Sequence, residues 1–230
     1  MFQLFDRSQR AALSHFAQRL KHPVWMGNLR SKAPVSRWGF ERGTPIDRFY
    51  IEQFLHSHRA DIRGHVLEVA NPSYTNQFGS NVKVIDILDI SPDNRVATIH
   101  ADLATADHVS SDRFDCFILT QTLQYIFDLK SAIAHCRRIL AKDGVLLMTA
   151  PSAARIDDPL SDYWRLTAHS CLRLFGDVFG EENITIETYG NCVSTVAFLS
   201  GLASNELREA ELLRTDPNYP VITCLRARKR

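Results

Sequence analysis

Apolar residues recur at helical spacing through the first part of the chain, then give way to short continuous runs. Over residues 8–20, Ala11, Leu13, Phe16, Ala17 and Leu20 fall on one helical face, with Ser8 placed to cap the first turn. Residues 21–45 are rich in proline, glycine and basic side chains and read as an irregular connection. A second helix is expected to start near Pro45, a favoured first-turn residue, and to present Ile46, Phe49, Tyr50, Phe54 and Leu55 along one side. After Gly64, short apolar runs alternate with helical stretches. "HVLEVA", "VKVIDIL", "ATIHADL", "FDCFILT" and "GVLLMTAP" read as strands, and residues 128–140 read as a helix between the last two. Such alternation predicts a parallel sheet covered on both faces.

The last part has another rhythm: "ITIETYG" as a strand, "CVSTVAFLSGL" as an apolar helix and "YPVITCLRARK" as a final strand, close enough to its neighbour to pair antiparallel. Only "DISPDNR" separates the second and third strands, too short for a crossover helix. Either that connection is a compressed loop or one of the two strands is misassigned.

Composition narrows the picture modestly. The 230 residues are enough for one sizeable domain with a full core, and 45% hydrophobic with 23% charged residues is ordinary for a globular protein. A formal net charge of +1 provides no global field toward nucleic acid or an anionic membrane. Neither is expected as a partner. Five scattered cysteines, with no C-x-x-C pair, argue against a disulfide framework or a zinc ribbon and for a reduced, cytoplasmic setting. The first residues lack the continuous apolar run of a signal peptide or membrane span. His56 and His58 are two apart on a helix, face different sides, and make no metal motif.

The chemistry concentrates in "HVLEVANPSYTNQFG" and in the acidic residues near later strand ends. The segments "VLEVA", "VKVID", "IHADL" and "FDCFILTQTLQYI…RRILAKDGVLLMTAP" together resemble the class I S-adenosylmethionine-dependent methyltransferases over roughly residues 40–228. "SRWGFERGTPIDRFYIEQFL" and "SDYWRLT" resemble a bacterial branch that tailors sugars or secondary metabolites.

The resemblance implies a Rossmann-like fold: a seven-stranded, mostly parallel sheet with an antiparallel last strand and helices on both faces. An N-terminal helical arm over residues 1–44 would precede an α/β domain over residues 45–230. It implies S-adenosylmethionine as cofactor and S-adenosylhomocysteine as product. Glu68 would receive the methionine ammonium, Asp86 with Ile87 the ribose, and Asp102 with Leu103 the adenine. Asp89 is the rival of Asp86, and Asp102 serves equally as a helix cap. Gln121 would lie near the sulfonium, with Gln124 and Tyr125 next along. Ala70, Asn71 and Tyr74 would line a turn where the family has glycines. A cofactor without phosphates needs close approach there rather than anion binding.

His108, Gln121 and Tyr163 are the catalytic candidates, with His108 preferred as a base over His100 and His169. Trp164 and Arg165 would join Tyr163 in an acceptor wall or else anchor a helix. Arg37, Trp38, Arg42 and Tyr50 would cover an anionic or glycosyl acceptor. The implied activity is methyl transfer to oxygen or nitrogen of a small-molecule or sugar-containing acceptor, by a monomer or homodimer, without metal. The alternative is a methyltransferase-fold protein that no longer methylates, catalysing a cofactor-independent reaction or acting as a non-catalytic partner. The glycine-poor turn favours that alternative, and so does the short second crossover.

Overall fold

A computed structural model describes residues 38–157 and 161–230. The helix expected over residues 8–20 and Arg37 lie outside them.

The second expected helix is α1 (Ile46–Ser57), which starts directly after Pro45 and buries Ile46, Tyr50, Ile51, Phe54 and Leu55. The chain then enters β1 (Gly64–Val69), a short helix α2 (Ser73–Phe78), β2 (Val82–Asp89) and β3 (Ile99–His100). Next come β4 (Phe114–Thr120), α3 (Leu129–Ile139), β5 (Leu140–Pro151) and α4 (Ala168–Phe179). The last elements are β6 (Ile184–Tyr189), α5 (Cys192–Leu199), α6 (Glu209–Leu213) and β7 (Ile222–Arg228).

The seven strands form one sheet in the order β3-β2-β1-β4-β5-β7-β6. Strands β1 to β5 pair in parallel, and β7 lies antiparallel between β5 and β6. This is the seven-stranded Rossmann-like arrangement expected from the sequence. The short second crossover is a compressed loop rather than an error of assignment. Turns over residues 90–98 suffice because β3 pairs through only Leu88↔Ile99 and Asp89↔His100.

The central strands read as unbroken apolar runs because both faces of the sheet are covered. In β4, Phe117 and Leu119 join a core with Ile133, Cys136 and Phe175 from α3 and α4. Cys116 and Ile118, on the alternate face, join Tyr50, Phe54 and Leu55 of α1 and Phe198 of α5. Four of the five free cysteines are buried, and desolvation pushes the Cys136 and Cys171 thiols up to about 12. They act as small apolar groups.

The segment before α1 packs on this same domain. Arg42 pairs with Glu206, Pro45 bridges Ala203, and Trp38 lies 6.3 Å from Phe198 between ring centroids.

Helix α4 begins with a reciprocal cap. Thr167 Oγ1 accepts from the Ser170 amide at 3.2 Å, while Ser170 Oγ accepts from the Thr167 amide at 2.9 Å. Thr167→Ala is therefore predicted to cost about 1 kcal/mol. A melting temperature about 2–4 °C lower would show it, and an unchanged one would contradict it.

Candidate functional site

The strand order reverses between β1 and β4. Beyond a parallel sheet's carboxyl edge at such a point, the following loops diverge and leave a crevice. Three adjoining hollows lie there. The first, about 550 Å3, is lined by Val69, Asp89, Asp102, Leu103, Ile126 and Tyr163 among others. The second, about 210 Å3, shares Val69 and Thr122 with the first and adds Arg48, Glu68, Ala70, Asn71, Tyr74 and Gln121. The third, about 140 Å3, shares Arg48 and Gln121 with the second and is walled by Trp38, Asp47, Gln124 and Tyr125.

The glycine-poor turn is built by other means. Glu68 is buried, and its two carboxylate oxygens accept from the Tyr74 and Thr75 amides at 2.9 and 2.8 Å. It thereby caps the start of α2. Burial raises its pKa, and the Thr75 and Tyr74 groups oppose the shift. Asn71 Oδ1 accepts from the Ser73 amide at 3.1 Å. Tyr74 stacks on Phe78 and accepts a hydrogen bond from Arg48 at 3.1 Å, so its ring stands at the side of the second hollow. Space for a methionine-sized tail remains.

Ala70 carries the turn at φ 67°, a left-handed conformation that costs a β-carbon roughly 1 kcal/mol. Ala70→Gly is predicted to stabilise the chain by up to about 1 kcal/mol, less the greater freedom of an unfolded glycine. Denaturant unfolding with an unchanged slope would measure it; a loss of stability would contradict the strain.

The structure separates the two β2 aspartates. Asp86 is 7% exposed and pairs with Leu67, three residues short of the strand end. Its carboxylate accepts from Thr98 Oγ1 at 2.6 Å, His65 at 2.7 Å and Arg113 at 2.5 Å. Ile87 is buried in the core and, like Asp86, lines none of the three hollows. The expectation that Asp86 faces the ribose is corrected: Asp89, the last residue of β2, lies in the first hollow. Its two oxygens accept from the Ser91 amide at 2.8 Å and from Asn94 Nδ2 at 2.6 Å. The "SPDN" turn that starts two residues after Asp89 was the available signal.

Asp102 accepts from the Ala104 amide at 2.8 Å, as a helix cap does, and lines the first hollow beside Leu103. Gln121, at φ 47°, lies where the second and third hollows meet. Its buried Nε2 has no hydrogen-bond partner among the described residues, and neither does Gln124 Oε1. Tyr163 is 49% exposed at the mouth of the first hollow, 5.3 Å from Phe127 between centroids.

His108 is exposed, contacts the His100 carbonyl at 3.1 Å and lines none of the three hollows. The structure does not bring it to the other candidates. His100 and His169 line none of them either. Asp47 and Arg48 are site residues that the sequence reading passed over. An aspartate in the first turn after a proline looks like an ordinary helix-dipole partner.

Residues 51–148 match the family described as "Methyltransferase domain". No curated protein sequence matches the chain. Among solved structures, an S-adenosylmethionine-dependent methyltransferase from Archaeoglobus fulgidus superposes with TM-score 0.55 at 12% identity, covering 79% of this chain and 94% of that one. One from Mesorhizobium loti gives 0.51 at 14%, covering 80% and 98%. The [4+2]-cyclase SpnF gives 0.53 at 15%, covering 96% of both chains. Residues 51–148 thus carry a methyltransferase domain, and the chain has the fold of the S-adenosylmethionine-dependent methyltransferases on which it superposes.

S-Adenosylmethionine fits the crevice by size and chemistry. The larger hollow offers carboxylates among apolar walls, as an adenosine requires, and the second offers a narrow polar extension. Gln121 Nε2, at the edge of the second hollow, is a buried donor without a partner among the described residues.

Proposed function

We propose that the chain transfers a methyl group to an oxygen or nitrogen atom of a small-molecule or sugar-containing acceptor. Its setting would be natural-product or polysaccharide biosynthesis in the cytoplasm, and its form a monomer or homodimer. The observation that carries this reading is the run of three adjoining hollows, the first two sized for the cofactor and the third polar and small. When bound, S-adenosylmethionine supplies an electrophilic methyl group on a positively charged sulfur.

In this reading Asp89 accepts hydrogen bonds from the ribose hydroxyls, and Asp102 with the Leu103 backbone meets the adenine. Val69, Leu103 and Ile126 supply apolar walls. Ala70, Asn71 and Tyr74 flank the methionine tail, and Arg48 faces its carboxylate. Glu68 acts indirectly, fixing the Tyr74 and Thr75 amides and so the shape of the turn. Gln121 stands at the seam between cofactor and acceptor, and Tyr163 closes the outer side.

Calorimetry of the full chain with S-adenosylhomocysteine tests the cofactor site and is expected to give one binding event per chain. Transfer of a tritiated methyl group to a panel of hexoses, amino sugars, uronic acids and catechol tests the acceptor class. No heat of binding at any concentration would sink the reading.

A further inference from the structure

The third hollow presents three carboxylates, and they are not equivalent. Asp162 is committed: Arg165 grips both of its oxygens, at 2.5 and 2.8 Å, and the Asp157 amide donates to it. The Arg165 hydrogen bonds hold its pKa low. Asp157 accepts from the Tyr125 hydroxyl at 3.3 Å. Asp47 differs. Its Oδ1 accepts from the Arg48 backbone amide at 2.8 Å, and no side-chain donor among the described residues hydrogen-bonds it.

Its position is set by α1. Pro45 starts the helix, the buried Ile46 and Tyr50 anchor it, and Asp47 with Arg48 therefore faces the crevice from the first turn. Arg48 lines both the second and the third hollow, so its neighbour Asp47 stands beside the seam marked by Gln121. Among the described residues, no histidine lines the third hollow.

We infer that Asp47 is the base that takes the acceptor's proton during methyl transfer, and that the acceptor is a hydroxyl or amine compound carrying a removable proton. This rests on the function proposed above. The acceptor's lone pair forms the new bond to the methyl carbon as the carbon–sulfur bond breaks, its electron pair remaining on sulfur. The nucleophile's proton passes to the Asp47 carboxylate and from there to solvent. Gln121 Nε2 and Gln124 Oε1, a donor and an acceptor without partners among the described residues, are placed to orient the nucleophile's neighbouring polar groups.

The electrostatics agree with the geometry. Burial raises the Asp47 pKa, opposed by the charge of Arg48 and by backbone amides. A carboxylate raised in this way is a stronger base, and the charge of Arg48 favours its ionised form. The other charged or titratable groups facing this hollow are Tyr125 after β4 and Arg155, Asp157, Asp162 and Arg165 after β5. Tyr74 of α2 meets the dyad through Arg48.

The test compares wild type, Asp47→Asn and Asp47→Glu as full chains, using S-adenosylhomocysteine and the acceptor panel above. Asp47→Asn is expected to bind S-adenosylhomocysteine as wild type does while losing about 100-fold or more in transfer rate. Asp47→Glu should recover part of the rate. In wild type the rate should rise with pH to a plateau through a pKa above that of an ordinary aspartate; in Asp47→Asn this acidic limb should vanish. Independently of turnover, the Asp47 carboxyl carbon, assigned in NMR by its absence in Asp47→Asn, should titrate in that same raised range. The inference is overturned if Asp47→Asn transfers methyl at the wild-type rate. Loss of S-adenosylhomocysteine binding in that variant overturns it too, because the carboxylate then belongs to the cofactor site. So does a carboxyl that titrates at or below the ordinary range. Failure of wild type to bind S-adenosylhomocysteine would instead refute the methyltransferase reading itself.

Discussion

Asp89→Ala is expected to weaken S-adenosylhomocysteine binding by about 100-fold or more, whereas Asp86→Ala leaves it within a small factor of wild type. A hydrogen bond to an ionised group contributes about 1.5–3 kcal/mol, so losing two at the ribose accounts for that decrease. Part of the loss comes from the loop. Asp89 also holds the Ser91 amide and Asn94, and Asn94 in turn donates to the Ala70 carbonyl at 2.7 Å, joining the β2 turn to the β1 turn. Asp89→Asn should therefore retain more of the loop's order than of the ribose affinity. Calorimetry on the two alanine variants decides the matter. The reverse result, with affinity lost at position 86 and kept at 89, would restore the earlier assignment.

The largest expected effect on stability falls on Asp86 itself. Removing its carboxylate strands Arg113, His65 and the Thr98 hydroxyl around a buried position. Breaking such a pair by deleting one partner costs about 3–5 kcal/mol when fully buried. Because Arg113 is partly exposed, about 2–4 kcal/mol is the expectation for Asp86→Ala.

The same network carries a pH signature. Burial alone would raise the Asp86 pKa, but hydrogen bonds from Thr98 and His65 and the charge of Arg113 outweigh it, and the net direction is down from 3.8. A carboxyl whose folded pKa is lowered contributes stability that is fully present above its unfolded pKa. That contribution declines as pH falls through the folded pKa, in the acid range below about 4. Urea unfolding of wild type and Asp86→Ala at neutral pH and near pH 3 would measure it. The gap between the two proteins should narrow in acid, and a constant gap would show that the ionised form contributes nothing.

Much of the fold was readable along the chain because its signals are local. Proline before α1, the two-sided apolar runs of β1, β4 and β5, and the amphipathic α3 all depend on near neighbours. The expected antiparallel pairing of β7 with β6 is present, although α5 and α6 lie between the two strands in the chain. The site was legible in part. Asp102, Gln121 and Tyr163 reach the crevice because they directly follow strands or close over the edge. His108 does not, although it follows β3 as a base might. The turn after Asp102 carries it to the surface.

What the sequence determined by itself was therefore the alternation of strands and helices, the two-faced core and the edge at which polar residues would gather. The tertiary structure decided which of those residues meet. Asp86 and Asp89 are equally acidic and three residues apart, so they point to opposite faces of the pleated strand. Only the register of β2 against β1, where Val69 pairs with Leu88, puts one inside the network and the other at the rim. Asp47 and Arg48 belong to a helix that precedes the first strand. Their approach to Gln121, across more than seventy residues of chain, comes from packing α1 over the sheet, a long-range contact that no local pattern encodes.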